Sequence, residues 1–212
     1  MKIYLFIILF TITIVSIGFI YNSSLTKEQI DQLYNFGYIT FDKDSYKNVP
    51  TGYGEMTWEG IHSIADFIKK KDSSCKTFID IGSGSGKLLT MSVATNFFTK
   101  ARGVEIVKER YDYSIEKRKE LPFLFRSKID IHYGDIFTKK DFFEPNSVIF
   151  VSNLLFPREL NIQLFDYLYK NAKKNTFVVV SVDDPLRRKE YIQSLKVPMT
   201  WLENSVCYIY HL

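Results

Sequence analysis

The stretch Asp80-Ile81-Gly82-Ser83-Gly84-Ser85-Gly86 limits what this chain can become more than any other. It follows the apolar run Thr77-Phe78-Ile79 and precedes Lys87 to about Phe98, where apolar residues recur at helical spacing, so a buried strand here turns sharply into a helix. Glycines permit positive φ and let a ligand approach the main chain closely. The helix behind them aims unpaired N–H groups and the positive end of its dipole at the turn, which suits an anionic ligand group. A Rossmann-like α/β domain is the expected frame.

The rest of the chain keeps the alternation. Strands are expected at about 101–106, 129–133, 147–152 and 176–182, with helices at 107–120 and 158–172 between them, a pattern that makes a parallel, doubly wound sheet. Two short extended runs, Met199-Thr200-Trp201 and Ser205 to Tyr210, have no helix between them and predict an antiparallel C-terminal hairpin, giving seven strands, mostly parallel. Upstream, Thr26 and Gln29 form a capping box for a helix carrying Ile30, Leu33 and Tyr34, which Gly37 can end. Pro50, Gly52 and Gly54 mark a loop before a helix from about Thr57, with Trp58, Ile61, Ile64 and Ile68 on one face. That loop is placed to lie over a pocket.

Residues 3–20 carry no charged side chain, and at about 1.5 Å per residue a helix of that length just crosses a hydrocarbon core of about 30 Å. The run is longer than the apolar core of a signal peptide, and Ile17 to Asn22 lacks a small-x-small cleavage site, so a retained membrane anchor is expected. The net charge of +4 is too mild to indicate nucleic acid, and no direct nucleic-acid binding is expected. Lys69-Lys70-Lys71 and Arg187-Arg188-Lys189 read as solvated faces, and Cys75 and Cys207 have no metal-ligand spacing. His62, His132 and His211 are scattered and are expected to be structural, as are Trp58, Trp201, Phe123, Phe125, Phe142 and Phe143. Asp183-Asp184-Pro185 reads as a polar turn.

Three acidic residues decide which ligand the glycine turn serves. Glu105, at the end of the second strand, can accept from both hydroxyls of a ribose, which fits a nicotinamide cofactor and S-adenosylmethionine alike. Asp80, just before the first glycine, would repel a pyrophosphate but attract the ammonium of a methionine moiety. After the third strand, Asp135 can accept from an adenine amino group beside Ile136, whose apolar side chain can cover the ring. Together they favour S-adenosylmethionine, with no metal.

These residues resemble the disruptor-of-telomeric-silencing family of histone-lysine methyltransferases, which have the class I fold. Tyr53-Gly54-Glu55-Met56-Thr57 looks like the family's YGET loop, Phe78 to Lys87 like VDLGSGVGQ, Gly103-Val104-Glu105 like GVE, and Gly134-Asp135-Ile136-Phe137 like GDF. Ser147 to Phe156 resembles SVIFVNNFAF, while Met199-Thr200-Trp201 and Val206 to His211 resemble the SW and VSYYLH ending. The resemblance implies a class I methyltransferase domain at 57–212 with a helical lead-in and cofactor-covering loop at 23–56, while the uncharged apolar run places the anchor at 1–22.

It also implies roles. Tyr53, Gly54, Glu55, Met56 and Thr57 would close over the cofactor; Asp80, Gly82, Ser83, Gly84, Gly86 and Lys87 would hold its methionine part, Glu105 the ribose, and Asp135 and Ile136 the adenine. Phe150, Ser152, Leu154, Phe156 and Tyr208 would line a lysine channel, with Ser152, Asn153 and Tyr208 as the catalytic set. Ser152 stands where the family has its first Asn, Met56 replaces Thr, and Lys87 replaces Gln. No counterpart of the histone enzymes' basic nucleosome-binding extension follows, so a protein lysine is the expected substrate and a histone only one candidate. Three other readings remain open: a membrane-anchored methyltransferase of mitochondrial or other membrane-protein lysines, a non-catalytic cofactor-binding module, and a small-molecule methyltransferase. The expected location is a membrane, single-pass, with the catalytic domain in the cytosol.

Overall fold

The computed structural model describes residues 25–35, 39–47, 50–52, 54–139 and 141–212. Seven strands form one sheet: β1 Thr77–Ile81, β2 Lys100–Glu105, β3 Ile129–Tyr133, β4 Ser147–Val151, β5 Thr176–Val180, β6 Gln193–Met199 and β7 Leu202–His211. Their order is β3-β2-β1-β4-β5-β7-β6. The first five run parallel, and β7 is antiparallel to both β5 and β6. The helices are α1 Lys27–Leu33, α2 Trp58–Lys71, α3 Lys87–Ala94, α4 Lys108–Glu120, the single turn α5 Phe123–Arg126, and α6 Arg158–Asn171, with 3-10 turns at Lys43–Tyr46 and Ile136–Thr138.

The winding reverses between β1 and β4, and at such a switch point the loops at the carboxyl ends of the strands part to leave a crevice. The central strands β1, β4 and β5 are buried on both faces because their residues alternate between two apolar layers. Phe78, Val148, Phe150, Phe177 and Val179 pack beneath Ile30 of α1, Ile61, Ile64 and Ile68 of α2, and Leu89 and Met91 of α3. Ile79, Ile149, Val151, Val178 and Val180 face the other way, onto Phe142, Phe143 and the α6 residues Leu164, Phe165 and Leu168. Each such side chain contributes roughly 1.5–3 kcal/mol by burial.

Several boundaries move for local reasons. α1 stops at Leu33, and Tyr34 at its C-cap donates to or accepts from Thr90 Oγ1 at 2.7 Å, which ties α1 to α3; Gly37 lies outside the described residues. α3 ends at Ala94 because Asn96 takes a positive φ of 58°, which turns Phe97 and Phe98 back into the core. β5 ends at Val180, where the chain enters a loop organised by the buried Asp184, which accepts from the backbone N–H groups of Leu186 and Arg188. β6 begins at Gln193, earlier than the apolar pattern suggests; it is the exposed edge and carries Lys196 and Pro198, residues that discourage edge pairing. Phe125 is buried as expected, whereas Phe123 is exposed.

The single-pass membrane placement needs correction. Among the described residues no helix is long and apolar enough to cross a membrane; the longest, α2 and α6, have 14 residues each and present one polar face. The expected span, residues 3–20, lies outside the described residues.

Candidate active site

A cleft of about 590 Å³ opens at the switch point, over the carboxyl ends of β1, β2, β3 and β4. Its floor is the turn from Ile81 to Ser85, in which Gly82 and Gly84 take positive φ, as does Gly86 just after it. Open space lies above Gly82, where an added Cβ would meet nothing within 4 Å.

Carboxylates ring this end. Glu105 receives two backbone N–H bonds, from Gly84 to Oε2 at 2.7 Å and from Val107 to Oε1 at 2.8 Å, so the strand end and the glycine turn are fixed to one another. Burial raises its pKa, and those N–H donors and Arg110 oppose the rise. Asp80 is buried in the cleft wall; burial first, then the charges of Glu105 and Glu55, push its carboxyl up to about 8. Asp135 caps the 3-10 turn by accepting from Phe137 N–H at 2.9 Å, and with the buried Ile136 it forms the far wall.

The covering loop is docked closed. Arg110 of α4 donates to Thr51 O at 2.7 Å and stacks on Phe41, 4.9 Å from the ring centre. Glu55 and Thr200 exchange contacts, with Glu55 N–H on Thr200 Oγ1 at 3.0 Å and Thr200 N–H on Glu55 O at 2.8 Å. Met56 bridges to Met199, and Thr57 donates its N–H to Pro198 O at 3.1 Å. Two glycines allow the approach: a Cβ on Gly54 would lie 2.2 Å from the Trp201 ring, and one on Gly52 would lie 2.0 Å from Leu155.

The other half of the cleft is apolar. Phe150, at the end of β4, leads to Ser152, Leu154, Leu155 and Phe156, with Trp201 of the hairpin turn opposite. Leu154, Leu155 and Trp201 are exposed at the mouth.

Of the residues singled out in the sequence, Gly54, Glu55, Met56, Asp80, Gly82, Ser83, Gly84, Glu105, Asp135, Ile136 and Ser152 all line the cleft. Tyr53 lies outside the described residues. The remaining ones are placed elsewhere. Thr57 is the N-cap of α2, accepting from Gly60 N–H, and Gly86 is the left-handed N-cap of α3. Lys87 turns away to Asp31 at 2.8 Å and Glu55 at 3.5 Å. Asn153 is fully buried: its Nδ2 donates to Asn161 Oδ1 at 2.6 Å and Val182 O at 3.1 Å, and its Oδ1 accepts from Val182 N–H at 2.9 Å. Tyr208, half-buried on β7, packs its ring 5.0 Å from that of Tyr191. Asn153 and Tyr208 thus lie outside the cleft lining, one held by hydrogen bonds and the other by ring packing.

Sequence reasoning missed Arg110 and Leu155 and took Trp201 for packing alone. Only Trp201 carried a signal, the SW-like pair. An arginine one turn into a charged helix is indistinguishable in sequence from its neighbours, because its partner Thr51 lies 59 positions away.

The donor set fits S-adenosylmethionine. Carboxylates surround the space where a cationic ligand end would sit, and Ser83 Oγ is buried with no partner among the described residues. Strand order, glycine turn and carboxylate ring together define a class I methyltransferase. The sequence model of the histone methylation protein DOT1 family matches residues 42–203, and the chain belongs to that family. Family and fold make it an S-adenosylmethionine-dependent methyltransferase.

Solved structures share the fold at low identity. An RNA methyltransferase from Salinibacter ruber, crystallised with S-adenosyl-L-homocysteine, is 18% identical with a TM-score of 0.53, over 70% of this chain and 90% of that one. The methyltransferase domain of a bacterial Hen1, CtHen1-CN, is 15% identical with a TM-score of 0.55, over 72% and 97%. The putative methyltransferase YhhF of Escherichia coli is 14% identical with a TM-score of 0.52, over 70% and 81%. No curated protein sequence matches the chain.

Proposed function

We propose that this chain transfers the methyl group of S-adenosylmethionine to the side-chain amine of a lysine in a protein. The observation that carries this reading is the division of the cleft: every charged lining side chain lies toward the glycine turn, Asp135 or the covering loop, and none lies among Phe150, Ser152, Leu154, Leu155, Phe156 and Trp201. A lysine reaches a protein surface as an ammonium, but transfer needs its lone pair, and an apolar channel lowers its pKa by desolvation. The N–C bond then forms as the C–S bond breaks, in line, and one proton leaves the nitrogen to water. A nucleic-acid acceptor would call for cations beside its phosphates. Among the described residues the one basic residue of the lining, Arg110, is engaged with Thr51 O inside the covering loop.

In this reading Asp80 takes the methionine ammonium, Glu105 the ribose hydroxyls, and Asp135 the adenine amino group over Ile136. Ser83 and the backbone at Gly82 and Gly84 hold the methionine end, and Gly54, Glu55 and Met56 close over it. The segment up to Met56 is then the lead-in and cover, and the rest of the described chain the catalytic domain. Ser152 offers its hydroxyl to the acceptor nitrogen, while Asn153 positions the loop after β4. Tyr208, Thr57 and Gly86 act through packing and capping.

The test is transfer from methyl-labelled S-adenosylmethionine by the full chain into a cell extract. Label recovered as N-methyl-lysine after protein hydrolysis supports the reading. Label that is removed by ribonuclease, or that survives removal of protein, overturns it.

A further inference from the structure

The placement of Lys87 is odd on elementary grounds. It is the first residue of α3, where the positive end of the helix dipole disfavours a cation, yet it is held there mostly buried. Two carboxylates offset that cost. Lys87 Nζ lies 2.8 Å from Asp31 Oδ1 of α1 and 3.5 Å from Glu55 Oε2 of the covering loop. The second oxygen of Glu55 accepts from Ser85 Oγ at 3.2 Å, and that same hydroxyl accepts from Lys87 N–H at 3.3 Å.

The loop needs such a cation. Glu55 faces a cleft that already contains Asp80 and Glu105, and its charge is one of those that raise the Asp80 pKa. Closing a third carboxylate over two others is electrostatically unfavourable unless a positive charge accompanies it. Arg110 holds the root of the loop at Thr51, and Lys87 lies beside Glu55 itself. α1 is in turn fixed independently of the loop, by Ile30 in the core, by Tyr34 on Thr90 and by Lys27 on Glu59 at 2.7 Å.

We propose that Lys87 is a positioning residue for the cofactor cleft: shared between Asp31 and Glu55, its ammonium latches the covering loop to the lead-in helix, so that α1 sets how firmly the loop is closed. The effect on cofactor binding rests on the functional reading above; the latch itself does not. Lys87 is thereby removed from the residues that touch the cofactor and assigned to the residues that hold the cover over it.

The experiment is hydrogen exchange at Glu55–Thr57 in the ligand-free full chain, together with titration by S-adenosylmethionine, for the parent, Lys87→Met, Lys87→Arg, Glu55→Gln and the Lys87→Met/Glu55→Gln double variant. Lys87→Met is expected to speed exchange about five- to tenfold, the weight of a partly buried ion pair, and to weaken cofactor binding by a similar factor. Lys87→Arg restores both, and Lys87→Met adds nothing in the Glu55→Gln background. The affinity lost in Lys87→Met also becomes less sensitive to salt, a change that mere helix destabilisation does not produce. Unchanged exchange in Lys87→Met, or an equal loss with and without the Glu55 charge, overturns the latch. A parent chain that ignores S-adenosylmethionine while exchange responds as expected would sink the cofactor reading and leave the latch standing.

Discussion

The glycine-turn end of the cleft is made of backbone N–H groups and carboxylates set on the ends of neighbouring strands, whereas the acceptor end is made of side chains from the β4 loop and the β6–β7 turn, about fifty residues apart in the chain. The first end is built on local geometry: Glu105 ends its own strand and reaches two N–H groups in adjacent turns. The second exists only when the hairpin folds back, with Trp201 resting on Gly54 and Leu155 on Gly52. One end is therefore charged and built from neighbouring turns, and the other apolar and assembled from distant segments.

The largest test of this contrast is at Glu105. Replacing it with alanine orphans the Gly84 and Val107 N–H groups and removes the proposed ribose acceptor, so affinity for S-adenosylmethionine should fall about 100-fold by calorimetric titration. An affinity within error of the parent would mean that the charged end is not the cofactor end.

Asn153 gives the complementary test at the acceptor end. Asn153→Ala breaks three hydrogen bonds, one buried and two partly buried, that tie the β4 loop to Asn161 and Val182, and should cost about 2–4 kcal/mol in denaturant unfolding while leaving cofactor affinity unchanged. A stable variant with lost turnover would return Asn153 to the catalytic set.

How legible each end was follows from the same contrast. The glycine turn, Glu105 and Asp135 could be read because strand, turn and carboxylate are contiguous, and the parallel sheet followed from the alternation of strand and helix, which breaks only between β3 and β4. The buried network around Asn153 was not legible because an asparagine after a buried strand looks alike in sequence whether it faces a cleft or such a network. β6 was cut short because an edge strand wears polar residues, Gln193, Ser194 and Lys196, on its exposed side. Lys87 was assigned to the cofactor through its place in a motif, but its partner Asp31 belongs to the lead-in helix, which the motif does not describe.

The charged end should also respond to pH. With its pKa at about 8 in the free chain, Asp80 is largely protonated at neutrality and must ionise to meet an ammonium. Cofactor affinity should therefore rise as pH climbs towards about 8, by up to about tenfold per unit, and level off above it. Stability of the ligand-free chain moves the opposite way. An acid whose folded pKa lies above its unfolded value of 3.8 lends stability below that value, which is lost as pH rises through 8. Asp80→Asn should flatten both profiles, and a parent whose binding is pH-independent between 6 and 8 (about two units below the shifted pKa to the pKa itself) would rule out this role for Asp80.

The smallest expected effect is at Tyr208. Its residue sits opposite Val180 on β5 and Ser194 on β6, and its ring stacks edge-on against Tyr191, outside the residues that line the cleft. Removing only the hydroxyl preserves that packing, so Tyr208→Phe should leave turnover and the Michaelis constant for the acceptor where they are. Tyr208→Ala, which removes the ring as well, should lower stability and carry turnover down only as far as folding is lost. A phenylalanine variant that folds normally yet turns over tenfold more slowly would show that the hydroxyl reaches the acceptor nitrogen during transfer, and the apolar end would then have to open further than the closed cover allows.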